Sequence, residues 1–319
     1  MKKDHSLPIL IGAWILIYLA FAVAKPGVFF SLSNVEQLVR QSLVIGLGAL
    51  GITYIIVAGG IDLSAGSVVA LATVTGAMTL DQTGSVGAAI GACLLTGLVC
   101  GLLNGVLITR LGAGPFIVTL VSMLALRGVA KGISGEKPVY PEAPQWIGQL
   151  TGALTAENRW MIIPPGGWIW VVCTAAFAWA LRYTTFGRNV VAIGSNEAAA
   201  RVCGVQVNRV KVATYALGGA MFGLAGLMLL SRTRTGDMSS AMGAELSMIA
   251  AAVIGGASLS GGQGNLVGAS VGALVMATIN MGCNTVGLSN WVQEILTGVI
   301  ILVAVAVDRL RARQLSVAG

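Results

Sequence analysis

Long apolar runs separated by short polar ones dominate this chain. A spanning helix takes about 17–25 mostly apolar residues, and the run from Pro8 to Ala24, behind Lys2 and Lys3, has that length. From Gln41 to Leu80 the only charge is Asp62. One helix of that extent would be about 60 Å long, twice the hydrocarbon thickness, so the chain turns back within it, and Gly59 to Gly66 is where it can. Val86 to Thr109 is uncharged and ends at Arg110, and Pro115 starts the next span, through about Arg127. Residues 132–166 hold five of the eight prolines with Glu136, Lys137, Glu142, Glu157, Asn158 and Arg159, which predicts an extramembrane loop. A span follows from about Trp168 to Leu181, with Trp168, Trp170 and Trp179 as expected interfacial anchors. Beyond a polar stretch from Arg182 to Lys211, spans are expected at about 212–230, 245–260, 265–282 and 290–307.

Counting the two sides of each interruption separately gives about ten crossings. The predicted fold is therefore all-α: a polytopic membrane protein with discontinuous helices. Composition agrees, with 56% hydrophobic and 10% charged residues against about a quarter charged in soluble domains. The formal charge of +7 suits lipid headgroups better than nucleic acid, because the bases cluster at segment ends. With the N-terminus inside, Arg110, Arg182, Arg188, Arg201, Arg209, Lys211, Arg309, Arg311 and Arg313 all fall on the cytoplasmic side, whereas Arg232 and Arg234 fall outside. Ala22-Val23-Ala24 also reads as a signal-peptidase site, but the apolar run is longer than a usual signal core and more spans follow, so a retained anchor is the expectation.

Two segments share the frame Gly-Gly-x-x-Leu-Ser-x-Gly: Gly59-Gly60-Ile61-Asp62-Leu63-Ser64-Ala65-Gly66 and Gly255-Gly256-Ala257-Ser258-Leu259-Ser260-Gly261-Gly262. Breaking a helix at membrane depth leaves backbone amides that protein or water must satisfy. These breaks are thus expected to line a polar pathway between two related halves, roughly 8–166 and 167–308, of one permease domain spanning 1–319. Asp62 is expected to cap the helix after the first break, with direct solute contact as the alternative. Gly255, Gly256, Gly261 and Gly262 are expected to supply positive φ or close helix approach.

Several chemistries find no support. There is no G-x-x-x-x-G-K-[ST] phosphate loop, and Gly261-Gly262-Gln263-Gly264-Asn265 has no lysine for a phosphate. Asp62 is the only clear intramembrane acid, with Glu245 and Glu294 near segment ends, which argues against a proton- or sodium-driven carrier. The five cysteines form no CxxC pair, and the single histidine, His5, sits in the N-terminal tail, so neither a metal nor a haem site is expected. No His/Asp/Glu or Ser/Lys cluster suggests an intramembrane enzyme. An uphill transporter of this kind draws its energy from a partner.

The expected docking surface for that partner lies within residues 184–210. Ser195 or Asn196 can cap a short helix, Glu197 suits its positive end, and Gly204 can end it. A helix of about eight residues does not hold itself in water and needs a packing surface. Ala198, Ala199 and Ala200 leave room for a close fit, and Glu197 is available to pair with a base on the partner. The other reading is a solvated loop on lipid headgroups.

Four groups of residues together resemble the permease subunits of bacterial ATP-binding-cassette importers of the ribose/galactose type, within the superfamily that includes branched-chain amino-acid permeases. They are Gly59 to Ser67; Pro115-Phe116-Ile117-Val118-Thr119-Leu120 with Arg127-Gly128; Phe186-Gly187-Arg188 with Gly194-x-Asn196-Glu197-Ala198-Ala199; and Gly255 to Gly264. The resemblance covers residues 34–308. It implies a permease dimer, of two copies or of one copy and a paralogue, in the bacterial inner membrane. It further implies two cytoplasmic ATPase subunits that bind the ATP, an extracytoplasmic solute-binding protein, and no cofactor in this chain. It makes Gly194 to Gly204 a coupling loop that seats in the ATPase. The solute implied is a monosaccharide or similar small polar molecule. A nucleoside or branched-chain amino acid is the alternative within the superfamily, and a secondary transporter the alternative outside it. Glu245-Leu246-Ser247 carries serine where many sugar permeases have an acid or amide, so the particular sugar is left open.

Overall fold

The computed structural model describes residues 6–142 and 145–317; His5 lies outside them. Its described residues are overwhelmingly helical, the only β feature being an isolated bridge between Val139 and Gly236. In order the helices are α1 (Ser6–Ala24), α2 (Pro26–Phe29), α3 (Leu32–Val57), α4 (Ala65–Thr83), α5 (Val86–Leu111), α6 (Pro115–Ser134), α7 (Pro165–Tyr183), α8 (Thr185–Ser195), α9 (Glu197–Val202), α10 (Val207–Thr233), α11 (Ala244–Ile254), α12 (Leu266–Val286) and α13 (Asn290–Val317). Among the described residues, seven helical stretches are long and apolar enough to cross a membrane: those of α1, α3, α5, α6, α7, α10 and α12. α11 is apolar but has only 11 residues, and the described apolar part of α13 is Trp291–Val303.

The core is built on α3, α4 and α10, which are mostly buried, while α1, α5, α6 and α7 turn wide apolar faces outward. In lipid there is no hydrophobic drive between helices, so close backbone contact between small residues takes its place. Gly97, Gly101 and Gly105 form one edge of α5, and Gly219 and Gly223 form the facing edge of α10. A Cβ on Gly97 would collide with the Gly219 carbonyl, one on Gly101 with that of Tyr215, and one on Gly223 with that of Cys93. The pair α11 and α12 repeats this device, since Gly272 packs on the Ala251 carbonyl and Gly268 on that of Gly255. α1 joins the bundle through Trp14, whose indole N–H donates to Thr278 Oγ1 at 3.0 Å.

Several boundaries differ from the sequence-based expectation. α3 starts at Leu32, one residue after Ser31 caps it by accepting from Asn34 N–H, so charged Glu36 and Arg40 lie in its first turns. Their charges end the apolar run early, but both find partners in the 145–164 segment: Arg40 Nε donates to the Thr151 carbonyl at 2.6 Å, and Glu36 accepts from Leu154 N–H. α11 stops at Ile254, short of residue 260, because a left-handed turn closes it at Gly255–Gly256. The polar stretch 182–211 holds two helices, α8 being the unexpected one. Trp168 and Trp179 face outward, but Trp170 is buried against Gly46, where there is no side chain to exclude its ring.

Candidate functional site

Both glycine breaks close their helices in the same way. At the first, Gly59 N–H donates to the Ile56 carbonyl and Gly60 N–H to that of Ile55, around Gly59 at φ +81°. At the second, Gly256 N–H donates to Val253 and Ala257 N–H to Ala252, around Gly256 at φ +99°. This paired closure satisfies carbonyls that a helix end otherwise leaves open, and glycine adopts its left-handed residue without a Cβ penalty. The left-handed glycine falls one residue later in the shared frame at the second break, so the sequence repeat and the structural repeat are out of step by one.

A buried polar chain holds the first return. Ser122 Oγ donates to Asn104 Oδ1 (2.6 Å), Asn104 Nδ2 to Ser64 Oγ (2.9 Å), and Ser64 Oγ to Asp62 Oδ1 (2.6 Å). Ser64 N–H also donates to Asp62 Oδ1 at 2.8 Å, making a two-residue turn. Ser64, not Asp62, occupies the position immediately before α4, so Asp62 shapes the approach to the helix one step earlier than expected. Thr119 of α6 braces the same return from the side, accepting from Leu63 N–H (3.2 Å) and donating within reach of the Ile61 carbonyl (3.1 Å). Gly66 lies under the Glu245 carboxylate of α11.

The second return is longer and carries no charge. Gly261 N–H donates to the Ser258 carbonyl, Ser258 N–H to that of Gln263, and Ser260 N–H lies 3.4 Å from Ser258 Oγ. Gly261 and Gly262 are both left-handed (φ +84° and +76°), and Asn265 caps α12 by accepting from Gly268 N–H at 3.0 Å.

The two breaks meet. Gly262 N–H donates to the carbonyl of Val57, the last residue of α3, at 2.9 Å. That carbonyl is one the α3 closure leaves open, so the second break completes the first. Gly194, near the end of α8, is wedged into the junction: a Cβ there would collide with the Val57 carbonyl and come within 2.5 Å of Gly262 N, and the Gly194 carbonyl lies over Gly261.

The rest of the arm is a second short helix. Asn196 caps α9 by accepting from Ala199 N–H at 2.9 Å, and Gly204 (φ +83°) closes it with Val205 N–H on the Ala200 carbonyl. Ala200 is buried beneath, while Ala198, Ala199 and Val202 face out, Val202 89% exposed. Beside this face Cys203 is exposed. Glu197 is already paired within the chain, with Lys211 Nζ at 2.6 Å and Arg201 at 3.1 Å. The Lys211 hydrogen bond above all, with help from Arg201, holds its carboxyl below the usual range. Glu197 therefore fastens α9 to α10. Phe186 stacks on Tyr54 of α3, and Gly187 lets α8 fold back on the Ala180 and Leu181 carbonyls.

A cavity of about 950 Å³ lies at the other end of the same helices, bounded by α3, α10, α11, α12 and α13. Gln41 on its wall and Val57 at the junction are about 24 Å apart along α3 at 1.5 Å per residue. Its polar lining includes Gln41, Ser247, Asn280, Asn284, Gln293 and Thr297, with Arg232 and Glu294 at its exposed margin. Sequence reasoning passed over these residues, apart from noting Ser247 and Glu294. The signal that marks them is amides and hydroxyls one helical turn apart in apolar helices, Asn280 with Asn284 and Gln293 with Thr297.

Residues 34–305 match the family described as branched-chain amino acid transport system / permease component. The chain is 35% identical over 297 residues to the ribose import permease RbsC of Escherichia coli K12, covering 92% of this chain and 91% of the relative. It is 36% identical over 302 residues to RbsC of Bacillus subtilis 168 (94% and 91%), and 36% over 298 to the L-arabinose permease AraH of E. coli K12 (93% and 89%). The chain belongs to this permease family. No solved structure matches it. As a family member it is a non-enzymatic, multi-pass inner-membrane component of an ATP-binding-cassette importer, working with ATPase and solute-binding partners. The four groups of residues that carry the family resemblance do not scatter: Thr119 of the second group braces the first break, and Gly194 of the third sits between both breaks.

Proposed function

We propose that this permease carries a monosaccharide or closely similar polyhydroxylated solute into the cytoplasm, driven by ATP that partner subunits hydrolyse. The similarity to permeases named for ribose and for L-arabinose, over nearly the whole chain, supports the solute class. The complex is two permease chains, either copies or one copy with a paralogue, two ATPases and one extracytoplasmic solute-binding protein. Ten crossings in two related halves, 8–166 and 167–308, fit α1, α3 to α7 and α10 to α13, with the N-terminus inside. The identical closure of the two breaks supports the halves.

The observation that carries the mechanism is the contact of Gly194 with both breaks. The cytoplasmic arm 184–210 presents Ala198, Ala199 and Val202 to an ATPase, and movement of α9 reaches the breaks through α8 as a rigid lever. The breaks, Gly59, Gly60, Asp62, Ser64 and Gly66 in the first and Gly255, Gly256, Ser258, Ser260, Gly261 and Gly262 in the second, act as the pathway's inner hinge, joined through Gly262 N–H on the Val57 carbonyl. The test is uptake of radiolabelled ribose and L-arabinose into proteoliposomes holding the permease, its ATPase and its binding protein. Accumulation that requires internal ATP and binding protein is expected; accumulation driven by an ion gradient without ATP refutes the reading.

A further inference from the structure

We infer that the cavity bounded by α3 and α10 to α13 is a solute-binding site in the membrane, built for an uncharged polyhydroxylated molecule. This rests on the importer reading and assigns that importer its contact residues. Unused hydrogen-bonding capacity gathers on the cavity's wall. Asn280 is half-buried in a largely apolar helix, and its side chain has no hydrogen-bond partner among the described residues, as is also true of the Gln41 and Ser247 side chains. Gln293 spends its amide N–H groups on Asn284 Oδ1 (2.7 Å) and the Leu288 carbonyl (3.1 Å), which leaves its own carbonyl and the Asn284 amide nitrogen open. Asn280 and Ser247 are half-buried polar groups in apolar helices, expensive unless something pairs with them, and Asn284 and Gln293 converge on the same cavity at its mouth, near the ends of α12 and α13.

The type of group decides the ligand. Each sugar hydroxyl both donates and accepts, and side-chain amides and hydroxyls match that double character. Amides and hydroxyls make up most of the polar lining, with one cation, Arg232, and one anion, Glu294, beside them. The Asn284–Gln293 bond fixes one amide against the other across α12 and α13, which orients the site before a ligand arrives. The cavity also lies at the end of the bundle remote from Gly194, where a delivered solute would enter before the junction moves.

The test uses the full importer in proteoliposomes, with Asn280→Leu and Gln293→Met, apolar replacements of similar size that cannot hydrogen-bond. Ribose and L-arabinose are the probes and leucine the zwitterionic comparison. Each variant should lose about tenfold in sugar uptake, the effect of one lost contact of ~1.4 kcal/mol, while loaded binding protein stimulates ATP hydrolysis as in wild type. Gln293→Met, on the more peripheral α13, carries the test alone if Asn280→Leu accumulates poorly. Wild-type uptake by both variants overturns the site, as does stimulation that collapses in parallel with uptake, which would mark a structural role. ATP-driven leucine uptake in place of sugar uptake overturns the ligand class. Failure of wild type to import any of the three under ATP refutes the importer reading, and this inference falls with it.

Discussion

The two glycine breaks share a helix closure and differ in almost everything that follows it. After the first, the chain re-enters a helix within a few residues, and Asp62, Ser64, Asn104, Ser122 and Thr119 lock the return from α5 and α6. After the second, the return is longer, uncharged, and packed on Gly194 and Ser195 of the arm. One frame in the sequence is thus locked by a buried polar chain in one place and packed against the arm in the other, the bearing of the proposed lever. Shared glycines specify how a helix stops, and the residues between them specify what holds the chain once it has.

If the second break is the bearing, adding bulk there has the largest effect. Gly194→Val drives a branched side chain into the Val57 and Gly262 backbone, and Gly262→Val sets one against Ser195 while giving up a left-handed conformation. Overpacking of this kind destabilises by roughly 1–3 kcal/mol or more. Folded yield by size-exclusion chromatography should fall severely for both; normal yield and uptake would make the junction an ordinary loop contact.

If the first break is the anchor, breaking its polar chain lowers stability without a special effect on coupling. Asn104→Leu leaves Ser122 Oγ without its buried acceptor and removes the donor to Ser64 Oγ, which keeps only Asp62, costing about 1–3 kcal/mol, read as a lower thermal midpoint in detergent. Asp62→Leu should behave likewise, whereas Asp62→Asn keeps an acceptor and most transport. Equal yield for both Asp62 variants with transport lost in both would shift Asp62 to solute contact.

Ala199→Trp should do the opposite, changing transport and not stability, because Ala199 faces out. Uptake and the ATPase response to loaded binding protein should both drop at equal membrane abundance and unchanged thermal midpoint. Unchanged coupling in this variant would move the docking face elsewhere.

The smallest effect is electrostatic. Pairing with Lys211 and Arg201 holds the Glu197 carboxyl below its usual 4.5, so its contribution is complete above that value and is lost as pH falls through the lowered one. Stability should be flat in this respect from pH 5 to 8. Because the pair is half-exposed, Lys211→Met should remove only ~0.5 kcal/mol at neutral pH and flatten the acid limb of a thermal-shift titration.

The sequence made much of this legible, for physical reasons that also mark its limits. Apolar runs located the helices because lipid enforces them, and Asn196 and Gly204 announced α9 because caps are local chemistry. The ends of α3 and α11 were harder, since Glu36 and Arg40 are satisfied by residues far along the chain and α11 closes on its own glycines. Glu197 looked available to a partner because Lys211 sits fourteen residues away in sequence but beside it in space. The junction and the cavity were invisible for the same reason: each is assembled from helices remote from one another in the chain, and no local pattern records that Gly262 completes Val57.

The glycine edges of α5 and α10 carry a mechanical meaning. Backbones in direct contact along several turns leave no side chains that can re-pack, so that pair can neither slide nor ratchet; it is a rivet between the front and back of the chain. Helices joined through longer side chains retain that freedom, and α13, which meets its neighbours across the cavity, is one of them. In the proposed importer the α5–α10 pair is thus the fixed spine, and α13 the wall with room to move.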